Sequence, residues 1–347
     1  MKTIFFVYIL ISVSLLSGCD SLSWNNPYPA SASVENIYYD SFSERPKHLD
    51  PVSSYSENEA TIIGQIYEPP LQYHFLKRPY ELIPLSATAV PKPVYYDKQG
   101  YELPVEAAAE KIARVVYRIS INKNVLYQPH PAFARDEAGN FLYHNISEAD
   151  LDDVYTISDF PVSGARELIA EDFVYQIKRL VKPGVHSPLG GLMSRYILDL
   201  AGLAGRLQAS KDDFIDLRDY AFAGAEVIDR YTYEIRLNQK YPQFVFWLSM
   251  YFFSPVPWEV DKFYSQTGFK DKNISLDWYP VGSGPYMLVS NNPNRHMILQ
   301  RNPNFHGETY PDEGEPGDRE AGFLDKAGQR MPFIDKAYYA LEKEAIP

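Results

Sequence analysis

Over residues 114–122 apolar and polar side chains follow a two-residue period. Val115, Tyr117, Ile119 and Ile121 fall on one side, Val116, Arg118 and Ser120 on the other, which predicts a strand. Over 170–181 the period lengthens to that of a helix. Phe173, Ile177 and Leu180 form one stripe, with Val174 and Val181 beside it. Glu171 and Asp172 stand at the positive end of that helix's dipole, and Lys178, Arg179 and Lys182 at the negative end. Pro183-Gly184 stops it. A second helix is expected over about 57–67, with Ile62, Ile63 and Ile66 on its apolar face and Pro69-Pro70 as its stop. Short strands are expected at 37–40, 226–228 and 232–237, helices near 193–207 and 211–220, and a short apolar element at 244–250. Residues 79–104, rich in Pro and Tyr, read as irregular, and 128–166 as an elaborated loop.

The stretch from Trp278 to Phe305 reads as a hairpin, with strands over 286–290 and 297–301 joined by an Asn/Pro turn. It is preceded by a tight turn over 281–285. Gly282 and Gly284 are expected to supply positive φ there, and Pro285 a fixed φ. Two catalytic readings fail on spacing. The serine sits directly between glycines, which is not G-x-S-x-G. Met287 fills the third glycine position of a dinucleotide loop, and Pro285 lacks an amide donor. Beyond the hairpin, 307–332 is crowded with acids, glycines and prolines and reads as a solvated insertion. The acid spacing of a calcium loop is absent from it. Residues 333–341 return to strand character.

Composition narrows the function. The 347 residues suffice for about two domains, and 45% hydrophobic content can form a substantial core. A net charge of −12 without clustered Lys and Arg argues against nucleic-acid binding. One cysteine, Cys19, leaves no internal disulfide and no thiolate metal site, and the seven histidines show no metal-ligand spacing. No cofactor is expected. The paired acids Glu171 and Asp172 are explained by the helix dipole rather than by acid–base catalysis.

The N-terminus reads as an export signal over 1–18: Lys2, then an apolar run over 4–16 that is short for a membrane span. It ends in Leu16-Ser17-Gly18-Cys19, which resembles the bacterial lipobox, so Cys19 is the expected lipidation site. Asp20 resembles the signal for retention at the inner membrane. A single acyl chain binds weakly, so anchoring requires more than one. Residues 19–33, from the lipidated cysteine through a Ser-, Asn- and Pro-rich stretch, read as a tether.

Taken in order, the motifs resemble those of the oligopeptide- and dipeptide-binding proteins of bacterial ABC importers, solute-binding family 5. They are Leu49-Asp50-Pro51, then Gln65-Ile66-Tyr67-Glu68, then the strand and turn from Tyr117 to Val125. Ala170-Glu171-Asp172-Phe173-Val174-Tyr175-Gln176-Ile177-Lys178-Arg179 follows, then Ser254-Pro255-Val256-Pro257. Gly282-Ser283-Gly284-Pro285-Tyr286 and Arg301-Asn302-Pro303-Asn304-Phe305 complete the set. Ile169 departs from the pattern, which has a Thr or Ser helix cap at that place.

The resemblance implies an α/β fold: a type II periplasmic-binding-protein-like lobe, with a mixed sheet and flanking helices, carrying an inserted α+β subdomain. Lobe I would comprise 34–68 and 258–347, and the insert 69–257. The second lobe would be absent, so the chain is expected to be an N-terminal portion of a protein about twice as long. It also implies a monomeric, non-enzymatic component that captures peptides on the periplasmic side of the inner membrane and delivers them to a permease. The loop after Leu49-Asp50-Pro51, namely Ser53, Ser54, Tyr55 and Ser56, would touch the ligand; a loop and helix-capping role is the alternative for its serines. Weak or no peptide binding by this portion alone is the expectation. Some relatives take nickel, haem or sugars instead, and a split or non-functional fragment is a further alternative. A secreted hydrolase would need Ser283 and His296 to meet.

Overall fold

The computed structural model describes residues 35–292 and 294–342. Cys19, the export signal and most of the tether lie outside the described residues. The strands are β1 (Ile37–Phe42), β2 (Leu71–Tyr73), β3 (Leu82–Pro84), β4 (Pro93–Tyr96), β5 (Glu102–Leu103) and β6 (Arg114–Ser120). After a long irregular stretch come β7 (Ala225–Asp229), β8 (Thr232–Leu237), β9 (Tyr286–Asn292), β10 (His296–Arg301), β11 (Glu308–Thr309), β12 (Arg330–Met331) and β13 (Lys336–Leu341). The helices are α1 (Glu57–Ile63), α2 (Ala170–Arg179), α3 (Gly190–Met193), α4 (Leu200–Gln208), α5 (Phe244–Trp247) and α6 (Trp258–Tyr264).

Two sheets carry the fold. One has the order β1-β13-β10-β9 and joins the two ends of the described chain. In it β1 runs parallel to β13, Ile37 opposite Lys336, and β10 runs antiparallel to both β13 and β9. The other is antiparallel, in the order β5-β4-β6-β8-β7. Helix α2 packs on β7 and β8, its Phe173 ring stacked on Tyr233 at 5.1 Å. The apolar stripe read from the sequence is the buried one: Phe173, Ile177 and Leu180 are all inaccessible to solvent.

Several expectations are corrected. The stretch 79–104 is not irregular: β4 pairs with β6, Val94 opposite Val116, despite its prolines. Pro93 begins its strand, a position where a missing amide is tolerated. Helix α1 ends at Ile63 rather than near 67, because the carbonyls of Gln65 and Ile66 leave the helix to accept amides from Tyr286 and Gly284, at 3.0 and 2.8 Å. The region 193–207 is split into α3 and α4 at Asp199, which adopts φ 59°. Residues 211–220 contain only a 3-10 turn, Leu217–Asp219. Its backbone is held instead by the Lys178 ammonium, which donates to the Leu217 and Tyr220 carbonyls at 2.8 Å each. Helix α6 was not anticipated. Gly282 and Gly284 do not have positive φ. They are glycines because the Ile66 backbone passes over them: a Cβ on Gly282 would overlap the Ile66 carbonyl, and one on Gly284 would stand 2.7 Å from the same oxygen.

Candidate functional site

The loop 49–56 is built from its carboxylates. Asp50 is buried and receives the Arg179 guanidinium from α2, Nη2 to Oδ2 at 2.6 Å and Nη1 to Oδ1 at 3.0 Å. Its Oδ1 also accepts the Val52 amide, and its carbonyl accepts the amides of Ser53 and Ser54. The chain is thereby folded into a turn seated on α2. Arg179 further approaches Asp261, Nε to Oδ1 at 3.7 Å, and Asp261 is held by Lys182 at 2.5 Å and the Tyr175 hydroxyl at 2.6 Å. Burial disfavours the charged form of Asp261, but Lys182 and Arg179 outweigh it and hold the carboxyl below its usual range.

Glu59, in the first turn of α1, does the same for the far side of the loop. Its Oε1 accepts the amides of Lys47 and His48; its Oε2 accepts those of Tyr55 and Ser56 and the Ser54 hydroxyl. Burial pushes this carboxyl up, yet the bonds from Ser56, Tyr55 and His48 bring it down to about 2.

These bonds sort the four predicted contact residues. Ser54 is fully buried and committed to Glu59. Ser53 bonds the Asp50 carbonyl and Asp277, both at 3.3 Å. Ser56 precedes α1 and gives its hydroxyl to Asn58. Ser56 lies at the surface, and Tyr55, 73% exposed, is the large side chain of the four that projects into solvent. Beside the loop stand Asp277, whose carboxyl is raised by burial and by Asp50, and the Arg45 guanidinium, 4.0 Å above the Trp278 ring. Glu59, Asp277 and Arg45 were missed in the sequence. Of these only Glu59 left a signal there, the Ser56-x-x-Glu59 capping spacing.

The remaining motif residues brace this frame. Ala170 is buried at the start of α2 and Glu171 is partly exposed. Asp172 does more than answer the helix dipole. It is buried, accepts Arg166 at 2.6 and 2.9 Å and the Tyr127 hydroxyl at 3.0 Å, and caps α2 through the Ile169 amide at 3.0 Å. That bond supplies half of a capping box although Ile169 has no side-chain acceptor. Arg166 also pairs with Glu259 of α6 at 2.8 Å. Around the glycine turn, Pro285 accepts the Asn302 amide through its carbonyl, and the Tyr286 hydroxyl donates to Ile334.

The hydrolase alternative finds no support in these contacts. The Ser283 hydroxyl is buried and donates to Glu68 at 2.7 Å, whereas His296 meets Ser290. The imidazole that shares Glu68 is His306, at 2.9 Å. Among the described residues no group of three or more His, Cys, Asp or Glu is placed to hold a metal ion, and no helix is long and apolar enough to cross a membrane.

A mixed sheet together with an antiparallel sheet that carries α2 matches in fold about half of a type II periplasmic binding protein. Residues 164–316 match the family of bacterial extracellular solute-binding proteins, family 5, middle, whose members bind solutes rather than transform them. In structure the chain is similar to DppA, the periplasmic binding protein of Helicobacter pylori solved with the peptide STSA (TM-score 0.53, 16% identity, 91% of this chain and 45% of that one). It is likewise similar to Haemophilus influenzae OppA in complex with RPPGFSPFR (TM-score 0.52, 14% identity, 89% and 42%). The murein tripeptide binding protein MppA, in its unliganded open form, gives TM-score 0.52 at 16% identity, over 89% and 42%. The chain thus spans less than half the length of these solved structures. It matches none of the curated proteins.

Proposed function

We propose that the chain provides one lobe of a peptide-capturing solute-binding protein of an ABC importer, with the loop 49–56 facing the ligand. The observation that carries this reading is the loop itself. Five donors on Glu59 and a bidentate Arg179–Asp50 pair hold it rigid, while the Tyr55 ring, 73% exposed, projects from its tip. A pre-ordered loop loses little entropy on binding, and tyrosine offers both an apolar face and a hydroxyl to a peptide. The family match over 164–316 and the peptide complexes of the similar structures support the class of ligand.

Such proteins work by closure: the ligand lowers the energy of the closed state only through contacts it makes there and not in the open one. One lobe supplies part of those contacts, so peptide binding by this chain alone is weak. Export, anchoring through Cys19 and delivery to a permease belong to the same proposal. Isothermal titration with mixed short peptides tests it. Weak binding that Tyr55→Ala abolishes is expected. Micromolar affinity would overturn the one-lobe reading, and the absence of any Tyr55-dependent binding would overturn the role of the loop.

A further inference from the structure

A second concave site lies away from the loop and shares no residue with it. It is a cavity of about 520 Å³ between the irregular stretch 135–145, the segment 214–218 and α6. One wall is the Phe141 ring stacked flat on His144, centroids 4.0 Å apart and 4° from parallel. Trp258 meets both edge-on, at 5.5 and 5.6 Å. Each outer aromatic carries a cation. The Arg135 guanidinium lies 3.7 Å from the Phe141 centroid, Arg218 lies 3.6 Å from that of Trp258, and the Lys262 ammonium lies 4.8 Å from that of Phe214.

The charges here run against those of the molecule. Three cations line the cavity with one carboxylate, Asp216, in a chain whose net charge is −12. Asp216 is already paired with Arg218 at 2.6 Å. Among the described residues neither Arg135 nor Lys262 has an ion pair; Arg135 donates to the Gly139 carbonyl at 2.6 Å. His144 does not add to the positive charge. Burial, with the three neighbouring cations behind it, lowers its imidazole to about 4, and its Nε2 is engaged with the Ala132 carbonyl. A guanidinium stacked on a ring keeps its edge N–H groups pointing away from the ring, ready for an oxyanion. Concentrating like charge in a concavity costs repulsion that an anion would relieve.

We propose that this cavity is a binding site for a small oxyanion, a phosphate or a carboxylate, held by charge-assisted hydrogen bonds from Lys262 and Arg135. This site is independent of peptide capture. The test is isothermal titration of the full chain with inorganic phosphate and, separately, succinate, in low-salt buffer. Saturable binding is expected for at least one of them, and the two arms distinguish a phosphate site from a carboxylate site. Lys262→Met, which removes an ammonium that makes no hydrogen bond among the described residues, is expected to weaken binding at least about tenfold, and Lys262→Arg to restore most of it. Arg135→Met provides the second variant, with folding of each checked by its unfolding transition. Failure of both anions to bind saturably, or equal binding by the native chain and both methionine variants, would overturn the proposal.

Discussion

Arg179 and Asp50, 129 residues apart in sequence, meet in the interior through two hydrogen bonds, at 2.6 and 3.0 Å. Both side chains are nearly inaccessible to solvent. The contact ties the loop 49–56 to α2 and so makes the position of the proposed ligand loop depend on a distant helix. Removing either partner leaves a buried charge without its counterpart. Arg179→Met or Asp50→Asn is therefore expected to cost about 3–5 kcal/mol in urea unfolding. The double variant is expected to lose less than the sum of the two. A fully additive pair would contradict the coupling.

The two glycines of the turn before β9 give a graded prediction. A methyl at Gly282 would overlap the Ile66 carbonyl, and one at Gly284 would crowd it less. Gly282→Ala is expected to destabilise by about 1–3 kcal/mol, and Gly284→Ala by less. Gly205 in α4 has open space around it, so Gly205→Ala is expected to stabilise by about 0.5–1 kcal/mol. Thermal unfolding of the three variants checks the order.

Glu59 predicts an acid limb. Its folded carboxyl is brought to about 2, below its ordinary 4.5. The stabilisation it gives is complete above the ordinary value and is lost as pH falls from there through about 2. Glu59→Gln is expected to cost about 1–3 kcal/mol at neutral pH and to make that acid limb shallower. Unfolding curves from neutral pH down to acid measure both. An unchanged limb would show that the loop is held by other groups.

His306 predicts the opposite slope. The hydrogen bond it donates to the Glu68 carboxylate raises its imidazole above the ordinary 6.5. Its contribution is complete below 6.5 and is lost as pH rises through the raised value. The stability difference between the native chain and His306→Gln is expected to be largest in mild acid and to shrink on the alkaline side. A difference that grows with pH would contradict the pairing.

Much of this frame was legible in the sequence, and what was missed has physical reasons. The stripe of α2, the alternation of β6 and the hairpin β9–β10 are local periodicities, and each element formed where its pattern lies. Strand β4 hid behind its prolines because its pairing with β6 is decided by tertiary contact, not by local propensity. The glycine turn was placed correctly but explained wrongly: its requirement is the backbone of Ile66, more than 200 residues earlier, which no local pattern reveals. The motif order pointed to the loop 49–56, but single-letter proximity could not tell a serine spent on Glu59 from a tyrosine left free. That distinction is a matter of which hydroxyl the α1 carboxylate reaches.

The free and the committed residues of that loop are expected to separate in experiment. Ser54→Ala removes a buried bond to Glu59 and is expected to lower stability by about 1 kcal/mol. Tyr55→Ala is expected to leave stability within about 0.5 kcal/mol and to act on peptide binding instead. Urea unfolding and peptide titration of the two variants, side by side, read both effects.

Whether a peptide lies against this loop is settled by photocrosslinking. Benzoylphenylalanine is placed at Tyr55 and, as the control, at Ile228 on β7, which is also exposed (45%) but belongs to the other sheet. Labelled short peptides are then irradiated with each protein. Labelling at 55, competed away by unlabelled peptide and absent at 228, is the expected result. Equal labelling at the two positions, or none at 55, would contradict the assignment of the loop 49–56 as the ligand face.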